Sequence, residues 1–506
     1  MEFFYRRKIP AINFLFIIVF LFSCSQQSQY KYKIPEKTDD GWETASLSEA
    51  DVDPVKINTL MLDILNEKYK HIHSVLLIKN GKLILEEYFF GHNRSKIHSI
   101  QSCTKSITSI LIGIAIDQKI ISNLNAKIYE LLPKYKGTQW IDQKYEITLK
   151  HALTMTAGLD WDERTYPYTD SRNNNKDMNQ STDWIEYFLN RKVIGIPGAR
   201  FNYTSGLTIL LGEIIRDASG QFADVFAEKY LFHPLGISDY KWYRNSVYGT
   251  IHTGGGLYLR SRDLAKIGYM MLKGGKWKGK QIVSRNWVNE STKEHIKAGW
   301  SNYGYQWWCG KTIKRYRILE AFWAAGKGGQ YIFVLPEPDL VVVFTAKHKE
   351  NPGASKRAFN MLTNYILPAV LAPLPRRKAI KVSHMILDTY PGIYKFKEKD
   401  KTITITIFRE GDSLFARRDN EEEKVELFPE TNTHFFGTSK DIGGFFIDFK
   451  KDDKGDISHF VLQFARQFNF VKVPFDKIKI SNQAYDNEPL IFSAPEYLTL
   501  GYGVYG

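Results

Sequence analysis

The sequence predicts an α/β (α+β) fold: an antiparallel sheet flanked by helices, an inserted and mostly helical lobe, and a C-terminal antiparallel β-meander or small barrel. Three observations lead there. Strand-like segments sit at both ends of the first two thirds of the chain, around Val75–Lys79 and Lys82–Glu86 early on and Tyr331–Leu335 and Leu340–Thr345 late. Between them the apolar residues recur at helical spacing or fall in irregular loops. Beyond about residue 378, short alternating strands follow one another across Gly-Asp and Asp-Lys-Gly turns.

The 506 residues are 43% hydrophobic and 14% aromatic, enough apolar surface for large cores in two or three globular units, which excludes a disordered chain. Lys and Arg number 69 against 55 Asp and Glu, a net charge of +14. The lysines are dispersed, no basic block stands out and no nucleic-acid motif is present, so nucleic acid is not an expected partner.

At the N-terminus, Arg6-Arg7-Lys8 precedes the uninterrupted apolar run Phe14–Phe22. That run is far short of the about 20 residues a membrane-spanning helix needs. It closes on Leu21-Phe22-Ser23-Cys24, which resembles a bacterial lipoprotein signal. The resemblance implies a signal peptide over 1–23, a lipidated Cys24 as first mature residue, and attachment to a cell-envelope membrane facing the periplasm or exterior. A cleaved leader with an incidental cysteine is the alternative. The polar stretch 24–49 reads as a tether.

The body is expected over residues 50–374. Asp53-Pro54 starts a helix whose apolar face is Ile57, Leu60, Met61, Ile64 and Leu65. Asn80-Gly81 turns a hairpin, since both residues of that turn need positive φ. A buried helix then begins at Ser102 and runs through the apolar residues to Asp117. Helices follow at Leu149–Met155, Leu207–Ile215 and Ser261–Leu272, with Ser261 as candidate cap. Strands return at Tyr303–Cys309, Tyr331–Leu335 and Leu340–Thr345, and a helix over about Ser355–Leu371 closes the unit. In the C-terminal unit, 378–474, strands are expected at Thr402–Ile407, Ser413–Ala416, His434–Phe436, Phe445–Phe449 and His459–Phe464; the tail 475–506 has no assignment.

Chemistry enters at Ser102 and Lys105. Residues three apart share a helix face with Cβ atoms roughly 5–6 Å apart, so an amine can reach the hydroxyl. A serine hydroxyl is inert until a base takes its proton. Ser-x-x-Lys also occurs at Ser28 and Ser238, but neither begins an apolar helix.

These residues resemble the β-lactamase-related serine hydrolases, which include penicillin-binding proteins, D-aminopeptidases and certain esterases, over roughly residues 40–370. The family's second element, Tyr-x-Asn or Tyr-x-Ser, is matched by Tyr203-Thr-Ser205 after Pro197-Gly198. Its third, Lys- or His-x-Gly on a strand, has two contenders, His252-Thr-Gly254 and Lys327-Gly-Gly329; the latter is preferred because Gln330 leads straight into the Tyr331 strand. The resemblance implies Ser102 as nucleophile, with Lys105 and Tyr203 sharing the proton work. Ser205 would hydrogen-bond a substrate amide. Lys327, Gly328, Gly329 and Gln330 would bind a substrate carboxylate and the oxyanion, with the backbone N–H groups of Ser102 and Gln330 forming the hole. The expected activity is hydrolysis of an ester, amide or D-amino-acid peptide through an acyl-enzyme. The missing Ser-Asp-Asn triplet and Tyr-x-Ser in place of Tyr-x-Asn put β-lactamase activity itself in doubt. Gly254-Gly-Gly256 matches a loop of the family with no assigned role, and the C-terminal strands resemble an appended lipocalin-like domain.

A competing reading is a non-catalytic, penicillin-binding-like receptor for cell-wall or acyl ligands, which would not need this serine, tyrosine and pair of lysines together. His151 and Asp160 suggest a Ser-His-Asp triad only superficially, as no Gly-x-Ser-x-Gly surrounds Ser102. No His-Glu-x-x-His or paired Cys-x-x-Cys is present, so neither metal nor cofactor is expected. Cys103 and Cys309 read as packed free thiols, with a bridge between them as the alternative.

Overall fold

The computed structural model describes residues 30–135, 146–299, 301–314, 317–347, 354–371, 379–398, 401–419, 421–439, 443–463 and 467–472. The signal segment, Cys24 and the tail 475–506 lie outside the described residues.

The early chain follows its local signals. Asp53 accepts from the Val55 N–H at 2.9 Å and caps α1 (Pro54–Leu65), which buries Ile57, Leu60, Met61 and Ile64. Asn80 and Gly81 take φ of +51° and +80°, joining β2 (Ile72–Lys79) to β3 (Lys82–Tyr88). A nine-stranded sheet is built around them. Its order across is β1 (Glu43–Thr44), β3, β2, Leu340–Ala346, Gln330–Leu335, Arg317–Gly326, Trp308–Lys314, Ser301–Tyr303 and Ile296–Ala298. All pairings are antiparallel except that of Glu43–Thr44 with β3.

Both faces of the sheet are covered, which is why its central strands read as continuous apolar runs. On β2, Leu76 and Ile78 belong to the core shared with α2 (Cys103–Asp117) and the Ser261–Leu272 helix. Val75 and Leu77 belong instead to the core shared with α1 and the Ala354–Val370 helical segment. The alternation is the period of two that a strand imposes. The helical lobe packs mainly through the Ser205–Ser219 helix, which contacts α2.

Some expectations are corrected. The segment read as a tether is part of the body from residue 30 onward: Trp42 is buried, Glu43–Thr44 pairs with β3, and Tyr30 and Tyr32 donate to Glu87 and the Ile84 carbonyl. Its polar composition concealed a few aromatic anchors. The region expected to hold only helices and loops contains a three-stranded sheet of His98–Ser99, Leu257–Leu259 and Tyr240–Trp242. Strands of two or three residues leave no readable period. Arg260, not Ser261, is the N-cap of the Ser261–Leu272 helix.

The C-terminal strands close into an eight-stranded antiparallel barrel from Gly392–Glu398 to Gln467–Lys472. Tyr390, Tyr394, Phe435, Phe449 and Phe460 fill its interior, with Tyr390 and Phe449 ring centroids 4.3 Å apart. Cys103 and Cys309 are both free and buried.

Candidate active site

The chain enters the nucleophile position through a strained elbow. His98–Ser99 pairs with Leu257–Leu259, the Ile100 N–H donates to Leu257 at 3.0 Å, and Gln101 then takes a φ of +50°. That conformation is uncommon for a residue with a Cβ and persists only where its surroundings enforce it. Here Gln101 Nε2 donates to Ser99 Oγ at 2.7 Å, and the Gln101 carbonyl accepts from Thr104 Oγ1 at 2.6 Å. Ser102 is therefore held at the head of α2, whose residues from Cys103 to Ala115 are all buried.

Lys105 lies one turn on. Its Nζ is 3.1 Å from Ser102 Oγ and 2.5 Å from the Gly254 carbonyl, and the side chain is buried. The Gly254 segment, for which the sequence suggested no role, thus orients the amine. His252 does not act as the alternative third element: its Nε2 faces Asn179 Oδ1 at 3.1 Å within a buried environment.

Tyr203 completes the cluster from the helical lobe. Asn202 anchors its loop by bonds to the Met155 and Trp161 carbonyls at 2.8 and 2.9 Å, and the Thr204 N–H donates to Met155 Sδ at 3.0 Å. The Tyr203 ring lies nearly parallel to Trp308, its hydroxyl is hydrogen-bonded to Ser102, and Lys105 Nζ stands 4.9 Å from the ring centre.

Lys327, Gly328 and Gly329 form the turn between the neighbouring strands Arg317–Gly326 and Gln330–Leu335, in the interior of the sheet order. Gly328 and Gly329 take φ of +83° and +97°, which only glycine adopts without strain. Gly326 is the point of closest approach: a Cβ there would lie 2.4 Å from the Ile100 carbonyl oxygen, just ahead of the nucleophile. Gln330 pairs with Gly326, its carbonyl accepts from Cys103 Sγ at 3.4 Å, and its side chain holds Ala346. A narrow crevice is lined by Ser102, Tyr168, Tyr203, Gly326, Lys327 and Tyr331, with Lys327 Nζ 4.5 Å from the Tyr168 ring centre.

Ser205 differs from the expectation. It is buried, and its hydroxyl and N–H both donate at 2.7 Å to Glu163. Trp161 Nε1 and the Tyr168 hydroxyl also donate to Glu163, at 2.7 and 3.2 Å. Glu163 was missed because Asp160-Trp-Asp-Glu163 reads as a solvated acidic loop. The one signal was the neighbouring tryptophan, whose N–H needs a buried acceptor. His151 is occupied at the start of the Leu149–Leu153 helix, where its Nδ1 accepts from the Thr148 N–H at 3.3 Å.

The electrostatics separate the two proton carriers. Burial pulls Lys105 down to about 8, although the Glu163 charge works against it. Burial pushes the Tyr203 phenol well above its ordinary value, with Tyr303 and Glu163 adding to the rise. Lys105 thus reaches its neutral form more readily than Tyr203 reaches its anion.

A sheet with helices on both faces, a helical lobe across it, and a serine beside a buried amine and a phenol in the crevice between them are features of a serine hydrolase. The chain belongs to the Beta-lactamase family, whose profile matches residues 73–363. Residues 376–477, a range that includes the barrel strands, match a domain of unknown function, DUF3471. The chain is 24% identical over 300 residues to the 6-aminohexanoate-dimer hydrolase of Paenarthrobacter ureafaciens, covering 53% of this chain and 70% of that one. Among solved structures, it is similar in fold to a putative 6-aminohexanoate-dimer hydrolase from Bacillus anthracis, with a TM-score of 0.54, 19% identity and coverage of 66% and 90%. A putative beta-lactamase from Bacteroides dorei aligns with a TM-score of 0.52, 16% identity and coverage of 63% and 99%.

Proposed function

We propose that the protein hydrolyses small esters or amides, including peptides of D-amino acids, through an acyl-enzyme on Ser102. The observation that carries this reading is the buried Lys105 amine 3.1 Å from Ser102 Oγ, with the Tyr203 hydroxyl hydrogen-bonded to the same serine. Neutral Lys105 takes the Ser102 proton as Oγ bonds to the substrate's acyl carbon. The carbonyl oxygen becomes an oxyanion that the N–H groups of Ser102 and Gln330 receive. Lys105 returns the proton through the Tyr203 hydroxyl to the departing alkoxide or amine. A water, losing its proton to the same pair, then attacks the acyl-enzyme, releases the acid and restores Ser102.

The crevice supports a compact substrate. Tyr168, Tyr203 and Tyr331 present aromatic walls to an apolar acyl portion, and Lys327 offers a cation to a carboxylate. The relative named for hydrolysis of a 6-aminohexanoate dimer makes amides of amino acids as worth testing as esters. A receptor reading leaves unexplained a lysine held near neutrality beside a serine. The test is a screen of p-nitrophenyl esters, the linear 6-aminohexanoate dimer and D-amino-acid dipeptides with wild type and Ser102→Ala. Wild type should turn over at least one class, and Ser102→Ala should lose about 10³-fold or more. Equal turnover by the variant sinks the assignment.

We propose as well that Cys24 carries the lipid that attaches the protein to a cell-envelope membrane. Support comes from Leu21-Phe22-Ser23-Cys24 at the end of the apolar run. No helix among the described residues is long and apolar enough to cross a membrane. Labelled fatty acid should attach to wild type and not to Cys24→Ala; equal labelling of both would overturn the idea.

A further inference from the structure

We propose that His73, His92 and His98 form a binding site for one divalent transition-metal ion of the zinc class, on the strands that lead into the nucleophile elbow. The three residues come from separate segments: His73 from β2, His92 from the loop after β3, and His98 from the short strand that runs on to Gln101 and Ser102. One ring nitrogen from each lies within 4.8 Å of the other two. His73 Nδ1 and His98 Nε2 are 2.8 Å apart, and the His73 and His92 rings stack with centroids separated by 3.7 Å.

The backbone is shaped to bring the third ring in. Phe90 and Gly91 take consecutive φ of +52° and +75°, and the His92 N–H donates to the Phe89 carbonyl at 3.1 Å. This turn reverses the chain so that His92 covers His73, at the cost of a left-handed, solvent-exposed phenylalanine. His92 makes no side-chain hydrogen bond to protein among the described residues, so its ring is available. His98 Nδ1 faces the Ser99 carbonyl at 2.8 Å, which puts its proton there and leaves the Nε2 lone pair aimed at the cluster.

The chemistry of the donors selects the ion. Three imidazoles without a carboxylate suit zinc, nickel or copper and not calcium or magnesium, which require oxygen ligands. Bonds of about 2.0–2.1 Å at tetrahedral angles separate ligand nitrogens by about 3.3 Å. The His73–His98 pair, now at 2.8 Å, would therefore open by about half an ångström. On binding, the His73 proton moves from Nδ1 to Nε2, so the ring stays neutral with one proton. Neutral imidazoles would bring the ion no ligand charge. A fourth position remains for water. The ion would tie β2 and the end of β3 to the strand entering Ser102.

The test uses the full mature chain without an affinity tag, stripped of metal, with zinc competed against a chromophoric chelator. Wild type should bind a single equivalent, and His92→Ala should weaken it by at least about tenfold, since even outer partners of metal ligands cost 10–100-fold. His92 lies on a half-exposed loop, so this variant should fold, and circular dichroism checks it. His92→Cys, which keeps a ligand, should retain binding and add a thiolate charge-transfer band with cobalt. A wild-type protein that cannot compete with the chelator, or equal affinity in wild type and His92→Ala, overturns the proposal.

Discussion

The pH dependence of kcat/KM is the most informative consequence of the Lys105 environment. With its value near 8, about 1% of Lys105 is neutral at pH 6 and half at pH 8, so activity should rise about fiftyfold across that interval. Beyond it the two alternatives diverge. A lysine near 8 gives only about a further twofold from pH 8 to pH 9.5, whereas an unperturbed lysine near 10.4 gives nearly thirtyfold. In energy, deprotonation at pH 7 costs about 1.4 kcal/mol in the first case and about 4.6 in the second. The assay is initial-rate hydrolysis of a p-nitrophenyl ester, with Ser102→Ala as the blank for spontaneous hydrolysis. A profile that climbs tenfold per pH unit past pH 9, or one that is flat between pH 6 and 8, would refute Lys105 as the base.

Glu163→Gln removes a buried negative charge that raises Lys105, so the bend in the same profile should move below pH 8 and relative activity at pH 6 should increase. The amide is tolerable because the Ser205 and Tyr168 hydroxyls can rotate to accept from it; a bend that stays put or moves upward contradicts the coupling. Gly326→Ala forces a methyl against the Ile100 carbonyl, and should lower kcat/KM by about 10²-fold with the fold retained by circular dichroism; wild-type kinetics would show that the approach is not needed. Arg262→Ala strands the buried Glu86 carboxylate, which receives Arg262 at 2.6 and 2.8 Å, although Arg94 still reaches it. It should destabilise the body by about 3–5 kcal/mol in urea titration, and a loss below about 1 kcal/mol would mean that solvent replaces the arginine.

Much of the fold was legible because local signals and burial agree. Asp53-Pro54 caps a helix and Asn80-Gly81 turns a hairpin as their chemistry requires. The runs at 331–335 and 340–345 are strands buried on both faces. What escaped was set by contacts distant in sequence. Trp42 anchors a polar stretch by packing against Tyr269 and Trp277, more than 200 residues away. Of the barrel strands, Gly392–Glu398 and Lys424–Pro429 escaped because interleaved charges dilute their alternation, and Gln467–Lys472 because it is short and follows directly on the preceding strand. In the site, the spacing of Ser102 and Lys105 on one helix carried its own geometry, and Tyr203 was found by its motif. Glu163 and the Gly254 carbonyl could not be found that way. A carboxylate's burial and a main-chain oxygen's aim depend on tertiary packing, and so does the reassignment of Ser205 from substrate to Glu163.

The central claim is that Ser102 becomes covalently acylated with Lys105 as its activator. Intact-mass and peptide-mapping spectrometry after exposure to a fluorophosphonate at pH 8 reads this directly. The expected result is one adduct per chain on the peptide containing Ser102, absent from Ser102→Ala and formed at least about 10²-fold more slowly in Lys105→Ala. An adduct on another residue, or undiminished labelling of Ser102→Ala, would contradict it.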